Sequence, residues 1–261
     1  MKTIFKKLPF ELGLSLSRTT GGPQVLENRT RFISFLTQPR GKLSEDVSLD
    51  IITTPDVTES FHDDKNILGF FRSIADDVVT TIPTLRDGLF DSNSQFYTSE
   101  KFVDFRKDLK GSQKTKIWIV SRSHGLDQVP QKSLMNVDDF EFNFATNSSN
   151  PNVPEANCSK TNLNLKKFDS VDLDNFVGQN LKGFVYFEFG TRIFKDLMKD
   201  SKSFADTLCL TVREKRIPSH DNGESIGTLS DLRKNWEEVY RWVSPETSSG
   251  RYLFYTFHRK K

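Results

Sequence analysis

Phe10, Leu12, Leu14 and Leu16 alternate with Glu11, Gly13, Ser15 and Ser17, and a period of two predicts a strand with one wet face. Gly21-Gly22-Pro23 ends that unit. The same reasoning predicts strands at 31–36, 47–53, 117–120 and 139–144. Ile117 to Val120 is apolar on both faces and belongs at the centre of a sheet, whereas Phe140, Phe142 and Phe144 form one inward face. Phe184 to Phe189, Leu208 to Val212 and Tyr252 to Phe257 are aromatic and β-branched and complete a set of about eight strands.

Helical spacing interrupts the series. Ile67, Phe71, Ile74, Val78 and Ile82 form a stripe behind Asp63-Asp64, with Pro83 beyond; the acids suit the positive end of a helix. Thr98 or Ser99 caps a shorter helix carrying Phe102, Phe105 and Leu109, stopped by Gly111. Thr191 opens a third, with Ile193, Phe194, Leu197 and Met198 on one face. From Thr228 to Val243, the residues Leu229, Leu232, Trp236, Val239, Tyr240 and Val243 again keep helical spacing, and Ser244-Pro245 stops them. The face formed by Trp236, Tyr240 and Val243 is expected to pack on the sheet that holds the 252–257 strand. Helices cluster between strands, so the predicted class is α+β: mixed, largely antiparallel sheets of about eight strands with about four packed helices, not a doubly wound nucleotide-binding fold.

The clearest internal break is Asn147 to Asn164, polar and turn-rich with hardly an apolar anchor. It separates an N-terminal α+β region, 1–146, from a C-terminal one, 165–261, as a linker or as a surface loop within one domain.

Composition adds the core material. Phenylalanine supplies 23 residues against 3 Met and 3 Trp, so the core is expected to be built from Phe where other proteins use Leu. Charge is nearly balanced, 37 basic against 35 acidic residues, which excludes the overall field of a general nucleic-acid coat. The distribution is less even. Residues 251–261 hold Arg251, Arg259, Lys260 and Lys261 with no acid, and Lys107, Lys110 and Lys114 lie in the densest internal basic run. These seven cations are the predicted partner-binding set, a contact with nucleic acid or another acidic surface if the two groups meet in space.

Catalytic motifs do not emerge. Cys158 and Cys209 sit in unlike surroundings, which fits neither a disulfide framework nor a zinc site and suits a reducing compartment. The N-terminus has no uninterrupted apolar core, and no stretch of 18 apolar residues exists, so an intracellular protein, cytoplasmic or nuclear, without a spanning helix is expected. His62-Asp63 reads as a helix entrance and His220-Asp221-Asn222-Gly223 as a turn. Ser121-Arg122-Ser123-His124-Gly125 follows a buried strand, where sites are commonly placed, yet Gly-x-Ser-x-Gly and Gly-x-x-x-x-Gly-Lys-Ser/Thr are both absent. No metal or cofactor is implied. The reading that follows is a non-enzymatic binding or assembly protein that associates with itself or with a protein partner, of the kind viruses encode as matrix, movement or host-antagonist proteins. The alternative is a phosphate-ester hydrolase or nuclease using His124 at a strand end. An inhibitor presenting Phe61, Phe96 or Tyr97 is a third reading.

Overall fold

A computed structural model of the chain describes residues 1–52, 61–84, 100–121, 140–146, 158–162, 170–190, 193–195, 204–216, 225–246 and 250–261. The helices are α1 (Lys2–Phe5), α2 (Phe10–Thr20), α3 (Gly22–Leu26), α4 (Phe61–Ile74), α5 (Ile82–Thr84), α6 (Glu100–Lys110), α7 (Ser170–Asn180) and α8 (Leu229–Asn235). The strands are β1 (Arg31–Pro39), β2 (Leu49–Ile51), β3 (Asp77–Thr81), β4 (Thr115–Ser121), β5 (Phe140–Thr146), β6 (Cys158–Asn162), β7 (Val185–Glu188), β8 (Thr207–Arg213), β9 (Ser225–Gly227), β10 (Trp236–Val243) and β11 (Tyr252–Arg259). The chain is α+β with mixed strand pairing, and it divides into two compact units, Met1–Phe71 with Ala205–Lys261, and Arg72–Phe204.

In the first unit β1 and β8 pair in parallel, from Phe32↔Thr207 to Thr37↔Val212. The remaining pairs, β1–β2, β2–β9, β8–β11 and β10–β11, are antiparallel. Helices α2 and α4 cover one face. Thr256 Oγ1 donates to the Thr20 carbonyl at 2.9 Å, Thr211 Oγ1 donates to Asp64 at 2.7 Å, and the Phe71 ring stacks on Phe32 at 4.8 Å. Asp64 lies at the first turn of α4 and meets the carboxyl half of β8, while Phe71, in its last turn, meets the amino end of β1. Helix α4 therefore runs against the direction of both strands.

In the second unit every described pair is parallel: β7–β3, β3–β4, β4–β5 and β5–β6. Parallel strands covered on both faces need near-continuous apolar runs, and β3 and β4 supply them with Val78, Val79, Ile117, Ile119 and Val120, all buried. Antiparallel pairing is thus confined to the first unit. On one face Phe176 of α7 meets the Trp118 ring edge-on, with centroids 5.3 Å apart.

Three predicted elements are corrected. Residues 10–17 form a helix, because Leu12 and Leu16, four apart, satisfy both periods at once. Both are buried, while Phe10 and Leu14 stand 83% and 41% exposed. The helix ends as Gly21 takes a left-handed φ of 82° and donates its N–H to Ser17 O. The stripe from Ile67 to Ile82 is helical only to Ile74. Beyond it Val78-Val79-Thr80-Thr81 is a β-branched run that gains a ladder on each side as β3. Likewise the helix at 228–243 stops at Asn235. Thr228 and Asp231 form a capping box, and Trp236 turns to φ −127°, ψ 138° and opens β10. The face expected to dock on the sheet joins it as a strand, with Trp236 opposite Arg259 and Val243 opposite Leu253.

Elements also appear where none was predicted. Helix α7 and β6 are two; β6 falls inside 147–164 and pairs with β5 from Phe142↔Cys158 to Thr146↔Asn162. The helix expected after Thr191 is described only at 193–195, with Ile193 and Phe194 buried. Thr98, Ser99, Leu197 and Met198 lie outside the described residues.

Candidate functional site

The carboxyl ends of the parallel strands in the second unit carry polar side chains on otherwise apolar strands. Glu188 ends β7, Thr80 lies one residue from the end of β3, Ser121 ends β4 and Thr146 ends β5. The register puts Thr80 beside Glu188 and Ile119, and Ser121 beside Thr146. Since alternate residues of a strand share a face, all four point to the same side of the sheet. All are buried, and the Thr80 hydroxyl has no hydrogen-bond partner among the described residues. Arg72, in the last turn of α4, reaches this row: its Nη2 donates to Glu188 Oε2 at 3.0 Å and its Nε donates to Oε1. Thr81, on the opposite face, instead holds the turn into α5 through the Thr84 hydroxyl at 2.9 Å. The carboxyl ends of parallel strands are where open α/β sheets bind ligands.

The amino ends of the same strands hold a different group. Trp118 Nε1 donates to Asp77 Oδ1 at 2.8 Å, and burial raises the Asp77 carboxyl above its ordinary value against the lowering by that bond. Asp76 pairs with Lys110 and accepts the Phe184 N–H at 2.9 Å. Arg106 donates to the carbonyls of Ser73, Ala75 and Gln113, each at 3.0 Å. These contacts tie helix ends to strand starts and offer no exposed reactive group.

The seven predicted partner-binding cations are spread over both units. Lys110 pairs with Asp76 and lies 5.7 Å over the Phe184 ring, while Lys107 and Lys114 are exposed. Arg251 donates to both oxygens of Glu214, which lie at 2.9 and 2.8 Å. The Arg259 guanidinium stacks 5.2 Å over Trp236, and Lys260 Nζ donates to the Arg233 carbonyl at 2.6 Å. Lys261 is exposed. Lys110, Arg251, Arg259 and Lys260 thus have contacts within their own unit. His124 and His220 lie outside the described residues, and only the backbone of His62 is described, inside α4. Burial pushes the Cys209 thiol up to about 12, which removes it as a nucleophile. Among the described residues no group of three or more His, Cys, Asp or Glu is placed to hold a metal. Nor is any described helix long and apolar enough to cross a membrane.

No protein-family model matches the sequence, and the curated proteins give no match. Solved structures do. The chain is similar to a riboflavin biosynthesis reductase from Saccharomyces cerevisiae, with a TM-score of 0.56 at 11% identity over 96% of this chain and 100% of that one. It is similar to a pyrimidine reductase-like protein from Corynebacterium diphtheriae, with a TM-score of 0.55 at 14% identity over 95% and 99%. The fold is that of the pyrimidine reductases. A third similar structure is the diaminohydroxyphosphoribosylaminopyrimidine deaminase/5-amino-6-(5-phosphoribosylamino)uracil reductase of Thermotoga maritima, with a TM-score of 0.53 at 12% identity. There the match takes in 96% of this chain but only 60% of the bifunctional protein.

This likeness in fold overturns the expected function. Neither the virus-encoded assembly protein nor the hydrolase or nuclease at His124 is retained, because the structures that share the architecture are reductases. The sequence reading missed Thr80, Thr146, Glu188 and Arg72 because they come from four separate segments with no local spacing to betray them. One signal was present: Ser121, Thr146 and Glu188 each interrupt an apolar run at its C-terminal end.

Proposed function

We propose that this chain is a reductase acting on a nitrogen heterocycle of the pyrimidine type. The observation that carries the reading is the one-sided polar row Glu188, Thr80, Ser121 and Thr146 at the carboxyl ends of four parallel strands, on a fold shared with pyrimidine reductases. Reduction of a C=N or C=O bond adds a hydride to carbon and a proton to the heteroatom. A nicotinamide dinucleotide supplies hydride when bound. The residues present fit such a group: the buried Thr80 hydroxyl lacks an acceptor and a donor among the described residues, and the neighbouring hydroxyls of Ser121 and Thr146 offer the neutral hydrogen bonds that an amide and sugar hydroxyls need.

In this reading the chain's own residues bind and orient. Ser121 and Thr146 align the heterocycle, and Glu188, held through both carboxylate oxygens by Arg72, is a fixed carboxylate beside them. The apolar strands beneath exclude water from the row.

The test is oxidation of a reduced nicotinamide dinucleotide by the purified protein in the presence of 5-amino-6-(5-phosphoribosylamino)uracil, the substrate in the name of the Thermotoga maritima enzyme. Turnover that falls at least about tenfold in Thr80→Val, with the fold intact by circular dichroism, supports the reading. Absence of both turnover and stabilisation by the dinucleotide overturns it.

A further inference from the structure

Arg213 ends β8, and it is only 8% exposed. Among the described residues no acid meets its guanidinium. The Nε–H is buried without an acceptor, and the group lies 6.0 Å from the centre of the Tyr252 ring. The acids close to it in sequence and register are already engaged. Glu214 holds Arg251, Asp50 accepts from Arg40 Nε at 2.8 and 3.0 Å, and Asp64 accepts from Thr211. A guanidinium withdrawn from water without a counter-charge is costly, and a bound anion offsets that cost.

Its place in the fold adds a second observation. Strand alternation puts Arg213 on the face of β8 that carries Thr211 and Cys209. That face is covered by α4, which starts at the carboxyl end of β8, as the Asp64–Thr211 and Phe71–Phe32 contacts require. The start of α4, whose first turn carries Asp64, and a guanidinium with no ion pair among the described residues therefore lie at the same end of one parallel pair.

We propose that Arg213 anchors an anion-binding recess in the first unit, taking an oxyanion of a phosphate ester or a carboxylate on the fork formed by its Nε and a terminal nitrogen. A planar guanidinium matches both groups in two-point fashion, which a lysine does not. The proposal is independent of the reductase reading, since it concerns binding in one unit and is read without turnover.

Thermal unfolding at constant ionic strength tests it, with inorganic phosphate, ribose 5-phosphate and acetate each replacing chloride. In the wild-type chain at least one anion should raise Tm in a saturable manner. Half-saturation should shift by about tenfold in Arg213→Lys, and the stabilisation should vanish in Arg213→Gln. A response to phosphate and its sugar ester assigns a phosphate site; a response to acetate alone assigns a carboxylate site. Because the shift is read within each variant, a lower starting Tm from lost packing on Tyr252 does not affect it. No saturable shift in the wild type, or an unchanged half-saturation in Arg213→Lys, overturns the proposal even if Arg213→Gln fails to fold.

Discussion

Arg72 grips both carboxylate oxygens of Glu188, and each side chain is 2% exposed. The pair joins the last turn of α4 to the end of β7. Removing one partner of a buried pair strands the other, at a cost of roughly 3–5 kcal/mol. Glu188→Ala should therefore lower the denaturant midpoint strongly, and Arg72→Met combined with Glu188→Leu should recover most of the loss. A single-variant loss below about 1 kcal/mol would show the pair to be solvent-screened.

Trp118 and Asp77 are expected to couple through pH. Burial raises the folded pKa of Asp77 above its ordinary 3.8, so the folded chain holds the proton more tightly, and its stability declines as pH rises from there through the folded value. The Trp118 bond at 2.8 Å opposes this shift. Trp118→Phe should cost roughly 1–3 kcal/mol, and the deficit should be larger near neutral pH than near the ordinary carboxylate value. Equal deficits across a denaturation series in pH would refute the coupling.

His258 should make the protein less stable as it is acidified. Burial, followed by the Arg29 charge, lowers its pKa below the usual 6.5, and Arg29 donates to its Nδ1 at 3.0 Å, which a neutral ring accepts. The contribution is complete above about 6.5 and is lost as pH falls below that value toward the folded pKa. His258→Gln should flatten the Tm profile in that window. An unchanged slope would show that other groups set it.

At Gly21 the expectation is steric. Its φ is +82°, and a Cβ there would come within 2.6 Å of Val25 and 2.7 Å of Tyr240. Gly21→Ala combines left-handed strain of about 1–2 kcal/mol with overpacking of a similar size. A Tm within error of the wild type would mean that α2 and β10 separate easily at this point.

Strand-forming segments were legible where both faces or one clean face were apolar. Ile117 to Val120 and Phe140 to Phe144 fall inside β4 and β5, as predicted, because burial demands the same residues whatever the neighbours. Segments whose spacing suits two periods were not legible. Leu12 and Leu16 are two steps apart on a strand and one turn apart on a helix. Trp236 to Val243 keeps helical spacing yet is β-rich in composition. In each case the partner decided: α2 lies on β11 through Thr20 and Thr256, and β10 zips onto β11.

The candidate site follows the same rule. The sequence by itself determined the Phe-built core, the α+β class and the polar residues that end the apolar runs, since these depend on composition and local spacing. Only the tertiary structure decided that Thr80, Ser121, Thr146 and Glu188 stand on one face with Arg72 against them. Parallel strands must be joined by long crossovers, so residues adjacent in the sheet are distant in the chain, and no local pattern records their meeting.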